Sequence, residues 1–220
     1  MMTDVTGSSE ASPKKRGRMT AAERREQLIA IARGLFAEKG FDASSVEEIA
    51  ARAEVSKPVV YEHFGGKEGL YAVVVDREVR DLLAKMQAAL TGGTARQLLE
   101  QAAMALLDYI ESSSDGFRIM VRDSPVGSTS GTFVTIMNTV ASRVDDILVH
   151  EFKARGYDHK QAPMYTQMLV GMVGYTGQWW LDARKPSKEV VAANLVNLAW
   201  NGLAGLEKKP VLRGSARPGR

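Results

Sequence analysis

The stretch GLFAEKGFDASSVEEIAARAEVSKPVVYEHFGGKEGLY, Gly34 to Tyr71, decides the fold through its own punctuation. Gly40 is the left-handed stop of a helix that starts upstream. There Thr20, with Glu23 three residues on, forms a capping box, and Leu28, Ile31, Ala32, Leu35 and Phe36 recur at helical spacing. That spacing predicts a helix over 21–39. Ser44 or Ser45 caps the next helix, and Glu47 and Glu48 sit in its first turn, where the helix dipole favours acids. Val46, Ile49, Ala50 and Ala53 form its apolar side, so it is short, over about 46–53. A turn at Glu54-Val55 follows. Ser56 then caps a third helix with Pro58 in its first turn, where a missing N–H has no partner to lose. Gly65-Gly66 break it after about His63.

One capped helix followed by two short helices and a tight turn fits a DNA-reading helix-turn-helix. The second short helix must point its N-terminal end at base edges in the major groove. That end is Ser56-Lys57-Pro58-Val59. Lys57 can reach a guanine O6 or N7, and Val59 can pack on a thymine methyl. Tyr61, His63 and Lys67 are phosphate-reaching donors. Ser44, Ser45 and Val46 lie at a helix start whose backbone N–H groups also accept a phosphate.

The charge agrees. The chain has 220 residues, 29 Lys+Arg, 26 Asp+Glu and a net charge of +3. Residues 14–67 carry a net +3 and 207–220 a net +4, whereas 1–13 and 68–206 carry −2 each. A basic excess in the N-terminal third suits a polyanion such as DNA. The tail reads as solubilising. The absence of Cys excludes a disulfide scaffold, a Cys zinc site and a thiol nucleophile, and fits a reducing compartment, hence the cytoplasm. The polar, basic start shows no secretory signal. Residues 161–181 carry no charge, but Pro163, three Gln and three Gly mark a buried helix rather than a membrane span.

The Gly34–Tyr71 stretch closely resembles the N-terminal domain of the TetR family of transcriptional regulators. The resemblance implies that 45–53 and 57–63 are the helix-turn-helix pair. It puts Lys57 to Val59 at base-reading positions and Tyr61, His63 and Lys67 at phosphate-contacting ones. Two residues depart from the family pattern. Glu54 stands at a turn position often held by Gly, so a left-handed backbone there would cost about 1 kcal/mol. Gly66 stands where a Ser or Asn cap is common.

From Lys67 onward every element again reads as helix. Breaks fall at Thr91-Gly92-Gly93, before Pro125, over the Gly127–Gly131 loop, near Gly156 and at Pro186-Ser187, and no alternating strand pattern occurs. The expected fold is all-α, with about nine helices. Residues 1–19 form a disordered basic arm, 20–66 the DNA-binding domain, 67–206 a helical ligand-binding and dimerisation domain, and 207–220 a disordered tail. The resemblance implies a homodimer on a palindromic operator in double-stranded DNA, controlled by a small molecule. Gly171 to Leu203 looks like the last two helices of actinobacterial members, including fatty-acid regulators that sense long-chain acyl-CoA.

In the larger domain Met164, Met168 and Met172 recur every fourth residue, followed by Tyr175 and Trp179. We read this stripe, with Met120, Phe133 and Met137, as the soft apolar lining of an effector pocket. Arg118 and Arg122 are the candidates for a CoA head group. Val191, Leu195, Leu198 and Gly202 at near-heptad spacing, with Gly174 on the preceding helix, are read as the dimer seam, and Trp200 as a candidate anchor. Asp146 and His150 share a helix face but lack a third metal ligand, so no metal is expected. No phosphate loop, GxSxG or HExxH occurs, so no enzyme and no cofactor are expected. The rival functions are a regulator of efflux responding to compact hydrophobic or aromatic drugs, and an apolar-ligand carrier with no regulatory role.

Overall fold

The computed structural model describes residues 19–122 and 132–212. The N-terminal arm and the last eight residues of the basic tail lie outside them. Nine α-helices run among the described residues: α1 Ala21–Lys39, α2 Val46–Arg52, α3 Lys57–Phe64, α4 Lys67–Ala89, α5 Ala95–Ser112, α6 Ser114–Arg122, α7 Thr132–Arg155, α8 Ala162–Ala183 and α9 Lys188–Ala204. A 3-10 turn, His159–Gln161, leads into α8. The caps that punctuate the sequence set several ends. Thr20 and Glu23 form the capping box of α1, and Ser45 accepts from the Glu48 N–H at the start of α2. Thr94 and Gln97 close a second box on α5.

Two cores form. The first gathers α1 to α3 and the start of α4 around Leu28, Leu35, Phe36, Ile49, Val60 and Leu70, and takes Ile119 from α6. The second packs α4 to α9 around Leu82, Leu106, Tyr109, Phe117, Trp180 and Leu195. Helix α4 belongs to both, contributing Leu70 and Val74 to the first and Leu82 and Met86 to the second. The first core therefore extends past the boundary expected at residues 66–67, into the first two turns of α4.

Both family departures carry backbone consequences. Glu54 has φ +55, so the turn between α2 and α3 does take the left-handed form. Glu54→Gly should stabilise the fold by about 0.5–1 kcal/mol, because relief of the Cβ clash exceeds glycine's extra entropy. A melting midpoint at or below that of the parent would show that contacts of Glu54 offset the strain. Gly66 caps α4 at φ +133, which only glycine adopts without strain, so a Ser or Asn cap is excluded by geometry.

Candidate DNA-reading head and effector cavity

The head displays Lys57, Pro58 and Tyr61 on the outer side of α3, all exposed. Lys57 Nζ lies 2.5 Å from Glu47 Oε1 on α2, and that contact holds the Glu47 carboxyl below its ordinary range. Lys57 must leave this exposed pair to reach a base, at little cost in water. Ser45 is half-buried, with its hydroxyl spent on the α2 cap. His63 is half-buried beside Phe64, and its carbonyl accepts from Arg25, whose guanidinium stacks 4.4 Å from the Phe64 ring centroid. Helix α1 thus pins the end of α3.

Four residues assigned to DNA from sequence have other work. Val46 is 7% exposed and packs in the first core, so only its backbone faces outward. Ser44 is buried and donates to the Gly40 carbonyl at 2.6 Å, closing the turn after α1. Val59 is half-buried against the same core. Lys67 donates to the carbonyls of Phe41 and Ser44 at 3.0 and 3.1 Å over the Phe41 ring, which leaves it one N–H for a phosphate. A periodic pattern does not reveal such tertiary bonds.

In the larger domain α4, α5, α7, α8 and α9 enclose a cavity of about 220 Å³. Leu82, Leu106, Ile136, Met137, Val170 and Gly174 are among its walls, with Trp200 from α9. Gly177 lets α8 approach α5 closely, because a Cβ there would come within 2.9 Å of Ile110 Cδ1. Of the residues read from sequence as lining, Met137 does line the cavity. Met120 is fully buried in the second core instead, and Met172 packs on that core without lining the cavity. The Phe133 side chain lies outside the described residues. Met168, Tyr175 and Trp179 are 57%, 53% and 53% exposed on the outer face of α8. The inner face of that helix is Ala162, Thr166, Val170, Gly174, Gly177 and Leu181.

The seam assignment is corrected in the same way. Val191 and Leu195 are buried against the second core, and Gly174 is a cavity wall. Leu198 and Gly202 remain exposed on α9, and the larger outer residues of α8 join them as unpartnered apolar surface. Size and periodicity did not separate the faces, since α8 is apolar on both and α9 nearly so. Trp200 resolves as an intrachain contact at the cavity.

Helix α6 ties the two cores together, a role the sequence did not suggest. Arg122 donates to the carbonyls of Ala37 and Glu38 at 2.9 and 3.2 Å, capping the C-terminal end of α1. Arg118 pairs with Asp182 at 3.0 Å. Neither lines the cavity, so both are withdrawn as head-group ligands. Beneath α6, the buried Glu78 accepts from Arg33 Nε at 2.5 Å and from the Tyr109 hydroxyl at 2.7 Å. Burial, then the bond to Glu78, pushes the Tyr109 hydroxyl far above its ordinary range, so it stays a donor. Burial pulls the Arg33 guanidinium down, but the Glu78 bond together with the charges of Glu78 and Asp115 raises it overall.

A helix-turn-helix head joined by one continuous helix to a hollow helical domain is the architecture of a DNA-binding regulator. Residues 28–74 match the model for bacterial regulatory proteins of the tetR family, and residues 95–202 match the tetracyclin repressor-like C-terminal domain. The HTH-type transcriptional activator FasR of Mycolicibacterium smegmatis is 32% identical over 215 residues, 92% of this chain and 97% of that protein. The HTH-type transcriptional repressor BdcR of Escherichia coli is 41% identical over 69 residues, 30% of this chain and 35% of its own length. A TetR-like regulator from Rhodococcus sp. RHA1 superposes with a TM-score of 0.69 at 25% identity, over 86% of this chain and all of that one. The fatty acid degradation regulator FadR from Bacillus halodurans, 18% identical, shares the fold at a TM-score of 0.63, over 86% and 98% of the two chains. The chain belongs to the tetR family: it is a transcriptional regulator, not an enzyme.

Proposed function

We propose that this regulator binds an inverted-repeat operator as a homodimer in the cytoplasm and responds to an apolar acyl-chain effector. The observation that carries the effector half is the cavity, whose walls are mostly aliphatic and include Leu82 and Met86 on the helix that continues into the DNA-reading head. A chain filling it gains about 0.8 kcal/mol per buried CH₂. Occupancy changes operator affinity only where the chain binds the two head spacings unequally. The unpartnered faces of α8 and α9 support the homodimer, because exposed Met168, Tyr175, Trp179 and Leu198 form apolar surface that a second copy would cover. The fold shared with a fatty acid degradation regulator agrees with an acyl effector.

Operator affinity measured against a series of acyl chains tests this reading. The response should grow with chain length and then level off. A flat series, with strong release by a compact aromatic compound, would replace the acyl effector with a drug-type one. On the DNA side, Lys57→Ala should cost about 1–3 kcal/mol of discrimination at a single base pair. A competition assay over all substitutions of one half-site reads this. A uniform loss across the half-site would make Lys57 a phosphate contact instead.

A further inference from the structure

We propose that Arg143 receives the anionic head group of an amphipathic effector, at the mouth of the cavity described above. The proposal rests on that cavity being the effector site. Its lining is graded. The deep wall is buried and apolar, from Leu82, Leu106, Ile136 and Val170. At the other side three exposed polar residues line it, Gln87 from α4 and Thr139 and Arg143 from α7. Thr139 and Arg143 are one helical turn apart and share a face of α7. With Ile147 the one large apolar residue among the exposed lining, the cavity's exposed side is mainly polar, and an occupant with one polar end has a favoured orientation.

The charge of that end follows from Arg143, the one charged residue among the described lining. Acidic partners hold many of the other arginines: Glu38 and Glu48 pair with Arg52, Glu26 with Arg77, Glu100 with Arg96, Asp182 with Arg118, and Glu151 with Arg155. No carboxylate among the described residues pairs with Arg143. The nearest acids along its own helix are Asp145, which accepts from Thr166 at 3.1 Å, and Asp146, which is exposed. Thr139 donates its O–H to the Thr135 carbonyl, so that proton is already used. A planar, permanently charged fork at the rim of an aliphatic hole is matched by a carboxylate or a phosphate, which it binds in bidentate fashion. A neutral or cationic end gains nothing there. The shared chemistry is an anion on an apolar chain, from either a free fatty acid or the phosphates of its CoA thioester.

The test is equilibrium binding by the full-length protein of four ligands with one common long saturated chain. They are the free acid, its methyl ester, the corresponding primary amine and the CoA thioester. The parent protein should bind at least one anion about tenfold or more tighter than the ester. Arg143→Gln should remove that preference and leave ester affinity unchanged, Arg143→Lys should keep part of it, and Arg143→Glu should favour the amine. A preference for the thioester alone assigns the anion to its phosphates, and a preference for the acid assigns it to the carboxylate. Equal binding of acid, ester and thioester by the parent overturns the Arg143 subsite and leaves the apolar effector standing. A preference that survives in Arg143→Gln also overturns it. No binding by any of the four overturns the acyl reading together with this one.

Discussion

Leu195→Glu should leave almost no folded protein, and Leu198→Glu, three residues further along the same helix, should leave a folded monomer that has lost its operator. Leu195 is 7% exposed and packs in the core that α9 shares with α5. The change removes a buried leucine side chain, worth about 1.5–3 kcal/mol, and leaves a carboxylate there without a partner. The combined cost is about 4–5 kcal/mol or more, close to the whole stability of a marginal domain. Leu198 is 67% exposed and supports nothing within its own chain. A carboxylate there costs the fold almost nothing, but it places two charges in the two-fold seam proposed to include α9. Two half-sites then bind independently, and the gain from linkage disappears. Circular dichroism separates the first effect from the second, and sedimentation at micromolar protein reads the dimer. A dimeric Leu198→Glu would move the interface away from α9. A well-folded Leu195→Glu would show that α9 docks more loosely than its burial implies.

This contrast marks the boundary of what the sequence made legible. Helix ends were readable because they depend on neighbours in the chain. Thr20 with Glu23, Thr94, Gly40 and the Gly65-Gly66 pair act within a turn or two, and the observed helices start and stop at or within a few residues of them. Which face of a helix turns inward is a tertiary property. Helix α8 defeats the usual inference from size. Its large residues Met168, Tyr175 and Trp179 point out, while Thr166, Gly174 and Gly177 point in, because α5 lies too close for anything bulkier at Gly177. A reader who takes methionines and aromatics as core will assign that helix backwards. The structural bonds of Lys67 and Ser44 were not legible for a related reason. Their polar groups close the α1–α2 turn, through bonds that join residues 23, 26 and four positions apart. Arg143 gave no signal at all, since an exposed arginine becomes a site only beside a cavity formed by several other helices.

Gly116→Ala should destabilise the protein by about 2–4 kcal/mol, although it adds one methyl group at a helix start. The new Cβ would overlap Glu78 Oε2 and stand 2.8 Å from the Tyr109 hydroxyl. A flexible carboxylate could swing aside at little cost on a surface. Glu78 is 8% exposed and is held by Arg33 from α1 and Tyr109 from α5. Displacing it breaks both bonds and strands a buried hydroxyl and a half-buried guanidinium, at about 1–3 kcal/mol for each group left unpaired. The loss should extend past stability. Leu82 lies one turn beyond Glu78 on α4, Leu106 one turn before Tyr109 on α5, and both line the cavity. Arg33 belongs to the helix on which the DNA-reading pair is packed. The carboxylate therefore links cavity wall to head, and its displacement should weaken the change in operator affinity produced by a bound acyl chain more than it weakens binding of the chain itself. Thermal melting reads the first effect, and operator titration at saturating ligand reads the second. Glu78→Gln keeps the side-chain size while discharging the group, so it should also reduce the operator response, without the steric cost. A Gly116→Ala protein within about 0.5 kcal/mol of the parent would mean that α6 can shift to admit the methyl group. A full operator response in both variants would assign the coupling to α4 alone.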